Sequence, residues 1–177
     1  MSFIGVIANQ KDFTILKNKI LENINIKNVT IICINKRSVS NIKNIKFEIV
    51  IICDDLEVIK ENIETINQIC KYTKYLISNS DFLIDLSKIN CNNTEVITYG
   101  LNRKAMITIS SVKEDSVLVA LQNNLKNLAG KTIEVGETNI NLNENSKIKL
   151  YHILILYTIF LLYSEKNTIN AGKICFF

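Results

Sequence analysis

The chain has 177 residues, 47% of them apolar and 21% charged, and its formal net charge is +4. A chain of this length can bury roughly two thirds of the surface that its unfolded form exposes, so the sequence predicts a single domain over residues 1–177. The lysines are scattered among asparagines and form no basic cluster interleaved with aromatic residues, so nucleic acid is not an expected partner. The first residues lack the basic region and long apolar segment of a secretory signal peptide.

The cysteine content predicts a reducing environment. The five cysteines are odd in number and show no Cys-x-x-Cys spacing, which disfavours both a disulfide framework and a metal site. Three of them lie in apolar runs, where a buried free thiol behaves as a small hydrophobic group. We therefore expect a cytoplasmic protein.

In the first hundred residues, short apolar runs alternate with segments of helical periodicity. Strands are predicted at 3–9, 29–35, 47–53, 75–78 and 95–99. Helices are predicted at 11–24, with Asn9 or Asp12 as its cap, and at 57–72, with a short helix or turn at 38–45. The alternation implies right-handed crossovers and a mainly parallel sheet with helices on both faces, which is an α/β fold.

After residue 100 this rhythm is lost. Short β-type runs at 105–111, 116–121, 131–135 and 138–142 predict a small antiparallel extension over about 101–143. The apolar segment 147–165 is predicted to be a helix that returns to the sheet. Its apolar part has about 16 residues where a membrane span needs roughly 20, and Lys149 and His152 interrupt its start, so membrane insertion is not expected. A helix packed on the sheet and a helix at a subunit interface are both compatible with this pattern.

Two strand ends mark the predicted binding site. One strand runs into Asn79-Ser80-Asp81 and the next into Thr98-Tyr99-Gly100. Because the carboxyl ends of parallel strands share one edge of a sheet, and open α/β sheets bind ligands there, we expect both motifs to border one crevice. Gly100 is expected to have a backbone conformation that a side chain would strain.

The run from Tyr75 to Ser111 resembles the nucleotide-binding central domain of the Mur ligases, ATP-dependent enzymes that add amino acids to peptidoglycan precursors. In that family a strand ending in Asn-x-Asp, near the adenosine of ATP, precedes a strand ending in Thr-Tyr-Gly and a small antiparallel extension. The resemblance implies ATP as the ligand and cell-wall metabolism as the context. It also implies five nucleotide-binding residues: Asn79, Asp81, Thr98, Tyr99 and Gly100.

The sequence departs from this family where phosphates bind. Mur ligases have a glycine-rich loop ending in Gly-Lys-Thr or Gly-Lys-Ser after the first strand, whose amides and lysine cradle the phosphates. Here that region contains only Gly5. The triplet Gly130-Lys131-Thr132 opens a strand and not a helix, which favours a turn glycine. The family's magnesium-binding glutamate and carbamylated lysine match no motif in this chain. Lost ATP hydrolysis, with no bound cofactor, is therefore the prediction.

The other polar candidates have structural interpretations beside the functional ones. Asp54 and Asp55 follow a predicted strand, where phosphate-transfer enzymes hold magnesium, but an acidic pair capping the next helix is favoured. Asn79 and Asp81 are also typical of a turn at the sheet edge. His152, the single histidine, is predicted to be a packed or partly exposed helix residue.

Three functions remain open at this stage. The first is a non-catalytic Mur ligase-like protein that serves as a binding or regulatory module. The second is an ATP-binding ligase-like enzyme or nucleotide sensor that uses Asn79 and Asp81 and acts with a partner chain. The third is a structural module that dimerises through the last helix. A protein partner or a homodimer is compatible with the sequence.

Overall fold

The computed structural model describes residues 1–24, 28–53, 56–82, 88–142, 148–164 and 174–176. The chain divides into two compact units. Met1–Lys17 and Lys27–Thr98 form the first unit, and Asn18–Ile26 and Tyr99–Phe177 form the second. The fold class is α/β, as predicted.

The first unit contains the predicted parallel sheet. Its strands are β1 (Ser2–Ile7), β2 (Val29–Ile34), β3 (Ile49–Ile52), β4 (Tyr75–Asn79) and β5 (Glu95–Tyr99), the last residue of which belongs to the second unit. Their spatial order is β5-β4-β3-β1-β2. Strand β1 pairs in parallel with both β2 and β3, and β3 pairs in parallel with β4. The carboxyl ends of β1 to β4 therefore share one edge of the sheet.

Helices connect these strands. Helix α1 spans Gln10–Asn23, a 3-10 turn spans Val39–Asn41, and α2 (Leu56–Glu61) and α3 (Ile63–Cys70) precede β4. The prediction of one unbroken helix over 57–72 was wrong at Asn62, whose φ of −128° and ψ of 31° are not helical. The Asn62 side chain donates a hydrogen bond to the Val58 carbonyl at 3.0 Å. Such a local bond competes with helix continuation.

The core of the first unit consists of β-branched residues from its strands. All four residues of β3 are buried, as expected of a central strand covered on both faces. One packed cluster includes Ile34, Phe47, Val50 and Leu76 together with side chains of α2 and α3. Gly5 of β1 fills a narrow position, because a β-carbon there would lie 2.6 Å from Ile34 Cδ1.

The second unit contains the predicted antiparallel extension. Its strands are β6 (Ile107–Val112), β7 (Ser116–Leu121), β8 (Leu125–Lys126), β9 (Thr132–Ile133), β10 (Gly136–Leu142) and β11 (Ile174–Phe176). Strand β7 pairs antiparallel with β6 and with β10. Strands β8 and β9 form a separate antiparallel pair, and β11 pairs in parallel with β10. The sequence analysis did not predict β8 or β11.

Helix α4 (Leu150–Tyr163) is the predicted final helix with narrower bounds. Ten of its 14 residues are buried, including His152. It contacts β6, and the Tyr157 hydroxyl lies 2.9 Å from Thr138 Oγ1 of β10. The apolar surface of α4 therefore serves packing within the chain. In the part of the chain that the structure describes, no helix combines the length and hydropathy needed to cross a membrane.

Candidate ligand-binding edge of the parallel sheet

A polar crevice of about 360 Å³ lies at the carboxyl edge of the first unit's sheet. It is formed by the segments that follow β1 and β2, and its lining residues are Ala8, Asn9, Gln10, Asn35, Lys36 and Arg37. From β1 the chain proceeds to β2 on one side, whereas β3 occupies the other side of β1. Open α/β sheets bind ligands outside the carboxyl ends of their strands, so this edge is the candidate site.

At the wall that helix α1 forms, polar groups at the start of the helix hydrogen-bond to one another. Asn9 Oδ1 accepts a hydrogen bond from the Asp12 backbone N–H at 3.0 Å, and Asn9 Nδ2 donates to Asp12 Oδ2 at 2.9 Å. The Asn9 carbonyl also accepts from the Phe13 N–H at 3.0 Å. The predicted cap of this helix is confirmed, with Asn9 as the capping residue and Asp12 in the first turn. Asp12 is only 3% exposed, so the helix start carries a buried carboxyl group.

The opposite wall is a tight turn after β2. Asn35 Oδ1 accepts from the backbone N–H groups of Arg37 at 2.9 Å and Ser38 at 3.0 Å. The Ser38 hydroxyl donates to the Cys33 carbonyl at 2.8 Å. These bonds fix the turn before any ligand arrives. The sequence analysis missed this turn, although asparagine followed three residues later by serine is a spacing typical of such side-chain-capped turns.

One of the two cations that line the crevice, Lys36, is paired with carboxylates. The Lys36 ammonium lies 3.0 Å from a Glu61 carboxylate oxygen and 3.1 Å from one of Glu57. Hydrogen bonds to Glu61 and then Glu57 raise the pKa of Lys36. The exposed Arg37 faces the same crevice as the Asn9–Asp12 cap. The site can hydrogen-bond a polar ligand, and the pairing of Lys36 with Glu57 and Glu61 reduces the net positive charge of the crevice.

Asn79 and Asp81 form a turn at the end of β4, on the same edge of the sheet. Asn79 Oδ1 accepts from the Asp81 backbone N–H at 2.8 Å, as the structural interpretation of this motif predicts. Asn79 is 2% exposed, and its Nδ2 has no hydrogen-bond partner in the described part of the chain. The amide oxygen of Asn79 therefore takes part in the turn, whereas the amide nitrogen does not.

The second predicted motif lies across the boundary between the two units. Thr98 is partly buried in β5 of the first unit, and Tyr99 and Gly100 belong to the second. Tyr99 is fully buried, and its ring lies edge to face with Tyr151, with 6.3 Å between the ring centroids. A shared crevice for this motif and Asn79–Asp81 stays a prediction.

The expectation of a strained Gly100 backbone was wrong. Among the described residues, positive φ angles occur at Asn28 and Gly130, not at Gly100. The Gly100 N–H donates to the Ile107 carbonyl at 3.1 Å, which is a β-type pairing that any residue can adopt. Gly130 has a φ of 79° in the turn before β9, which confirms its interpretation as a turn glycine.

The remaining predicted candidates do not add to the site. Asp54 and Asp55 lie outside the described residues. His152 is buried on α4 at 3% exposure. Within the described ranges, no group of three or more histidine, cysteine, aspartate or glutamate residues could hold a metal ion.

No protein-family model matches the chain, and no curated protein matches it. The site is therefore defined by its geometry alone, as the carboxyl edge of a parallel sheet in an α/β protein. The Mur ligase resemblance remains an inference from the motifs.

Proposed function

We propose that this protein is a non-catalytic, Mur ligase-like binding or regulatory module that acts in the cytoplasm in connection with cell-wall metabolism. The order of its elements supports this proposal. Five strands alternate with helices, and an antiparallel extension and a final helix follow them. The observation that carries it is the cap at the start of helix α1, where the Asn9 side chain accepts the Asp12 N–H. The segment between β1 and α1 is the place where a nucleotide-hydrolysing relative would hold phosphates.

Two properties of this segment oppose phosphate binding. A phosphate cradle needs backbone N–H groups that point at the ligand and a positive charge to balance it. Here the Asn9 side chain takes the Asp12 N–H, and Asp12 places a carboxyl group in the first turn. Lys36 offers little compensation because Glu57 and Glu61 already bind it.

The second candidate function is a sensor for a nucleoside or a similar heteroaromatic compound. The Asn79 Nδ2 donor favours it, because a buried amide donor without a partner costs about 1–3 kcal/mol. A ring nitrogen or carbonyl oxygen of a ligand would satisfy this donor. Such a ligand would not need a phosphate, so the cap at the start of α1 does not oppose it.

Titration calorimetry with adenosine, AMP and magnesium ATP distinguishes these functions. The first proposal expects no gain in affinity from added phosphates. The second expects adenosine binding that is lost in Asn79→Ala and kept in the control Asn44→Ala, which changes an exposed asparagine of the same unit. Magnesium-dependent ATP binding more than about tenfold tighter than adenosine binding, a gain of about 1.4 kcal/mol, would overturn the proposal of a module without a phosphate site.

An Asp12→Asn variant tests the physical reason. It removes the carboxylate and keeps a side chain that can hydrogen-bond Asn9. If the carboxylate excludes phosphates, the affinity for ATP relative to adenosine rises in this variant. An unchanged ratio would mean that the missing cradle alone accounts for weak phosphate binding.

A further inference from the structure

An exposed aromatic residue with two lysines beside its ring lies at the opposite, amino edge of the first unit's sheet. Tyr72 is 59% exposed, and the ammonium groups of Lys46 and Lys71 lie 5.6 Å and 5.5 Å from its ring centroid. The Lys74 ammonium lies 5.5 Å from the ring centroid of Tyr75. We name Lys46, Lys71, Tyr72 and Lys74 the Tyr72 patch. They occupy the segments that precede β3 and β4.

The backbone beneath this patch is firmly held. The Lys71 N–H donates to the Asn67 carbonyl at the end of α3. The buried Thr73 donates through its hydroxyl to the Ile69 carbonyl at 3.0 Å. The Lys74 N–H donates to the Glu48 carbonyl at 3.0 Å. The backbone of residues 71–74 is therefore preorganised, which lowers part of the entropic cost of binding a partner.

Two lysines of the patch, Lys46 and Lys71, have no carboxylate partner in the described part of the chain. Two like charges thus stand beside one exposed ring. A ligand carboxylate would relieve their repulsion while the tyrosine ring supplies contact area, and aromatic residues are enriched at protein interfaces.

We infer that the Tyr72 patch binds a short acidic segment of a partner protein. A nucleic acid fits less well, because specific polyanion binding uses about 6–10 phosphate contacts and the patch has three lysines. Its extent is also limited. The Lys74 backbone pairs with Glu48 on one side, and its carbonyl accepts the Glu95 N–H at 2.9 Å on the other, so acidic residues flank it. A few carboxylates match this arrangement better than a continuous phosphate backbone does.

This site does not depend on the proposed function. It lies at the amino ends of β3 and β4, whereas the crevice and Asn79 lie at the carboxyl edge of the sheet. Nucleotide titrations and acidic-peptide titrations can therefore succeed or fail separately.

Fluorescence anisotropy with two labelled probes tests the inference on the full chain. One probe is a peptide of alternating glutamate and serine, and the other is an oligothymidylate of equal net charge. The patch variants are Tyr72→Ala and the double variant Lys46→Gln/Lys71→Gln. The matched control is Lys104→Gln/Lys113→Gln, which removes the same charge from exposed positions of the second unit. All substituted side chains are exposed, so every variant is expected to fold. Thermal denaturation checks this.

The expected result is saturable peptide binding that weakens about fivefold in the double patch variant and less than about twofold in the control. Tyr72→Ala is expected to weaken it about threefold or more. Three results would overturn the inference. They are no peptide binding at concentrations up to about 1 mM, equal losses in the patch and control variants, and tighter binding of the oligonucleotide with losses in the same patch variants.

Discussion

Replacing Gly5 by alanine is expected to destabilise the first unit through overpacking. The added β-carbon would lie 2.6 Å from Ile34 Cδ1 and 3.1 Å from the nearest atom of Phe47. Favourable carbon–carbon contacts lie at about 3.5–4.0 Å, so the first contact is about 1 Å too short. Ile34 is fully buried and Phe47 is 1% exposed, so neither side chain has open space to enter.

Overpacking of this kind costs about 1–3 kcal/mol. For a chain of this length, 1 kcal/mol corresponds to about 2–4 °C, so the melting temperature should fall by about 2–12 °C. The double variant Gly5→Ala/Ile34→Val removes the methyl group in the shortest contact. Ile34→Val alone should cost about 0.5–1.5 kcal/mol. The double variant should be more stable than the sum of the single effects predicts, by about 1 kcal/mol.

Circular dichroism melts and urea denaturation of the parent and each variant measure these differences. Gly136→Ala is the matched control, because its β-carbon would meet no atom within 4 Å. It should change the free energy of unfolding by less than about 0.5 kcal/mol. A Gly5→Ala variant as stable as the parent, or strictly additive effects with Ile34→Val, would refute the steric argument.

Three further predictions concern single positions. Asn127→Ala should lower the free energy of unfolding, measured by urea denaturation, by about 2–4 kcal/mol. The reason is that this buried side chain donates to the Ser164 carbonyl at 2.5 Å and accepts the Lys131 backbone N–H. In the same assay the control Asn124→Ala, at an exposed position, should cost about 1 kcal/mol or less. Gly130→Ala should cost about 1 kcal/mol in thermal melts because of its φ of 79°. Burial raises the pKa of Cys70 from 9.0 to about 12. The free energy of unfolding should therefore fall as the pH rises from about 9 towards 12, by up to about 1.4 kcal/mol per pH unit. Cys70→Ala should flatten this slope in urea titrations at several pH values.

The direction of the pH effect follows from which state releases its proton first. The Cys70 thiol titrates near 9.0 when the chain is unfolded and near 12 when it is folded. Below the lower value both states are protonated and the thiol adds no pH dependence. Between the two values only the unfolded state gains from deprotonation, so unfolding becomes more favourable.

Sequence periodicity was sufficient for the regular part of the fold. Five strands and the helices between them were predicted because buried parallel strands have continuous β-branched runs, such as residues 49–52, that differ clearly from helical spacing. It was insufficient where a single side chain or a partner strand decides the structure. The helix break at Asn62 is a departure of one residue from helical backbone angles, which the apolar spacing does not reveal, and β8 has only two residues, too few to show any period.

The candidate site was predictable only in its position. The parallel sheet places Asn79 and the segment after β1 on one edge, and this arrangement follows from the strand order alone. Which hydrogen bonds and ion pairs each side chain makes does not follow from the sequence. Whether Asn79 Nδ2 has a partner, and whether Lys36 is free or bound to Glu57 and Glu61, depends on residues more than twenty positions away or on local turn geometry.

The Tyr72 patch shows why a scan along the sequence is a weak test for charged surfaces. In the sequence the lysines are scattered, whereas in the structure Lys46 joins Lys71 at the Tyr72 ring from a segment some twenty-five residues earlier. Parallel pairing of β3 with β4, in register from Ile49 with Tyr75, brings the two preceding segments to one edge of the sheet. A parallel sheet therefore gathers residues from separate loops at both of its edges. The carboxyl edge is where ligands are usually sought, and in this protein the amino edge also carries an exposed aromatic ring, Tyr72, beside Lys46 and Lys71.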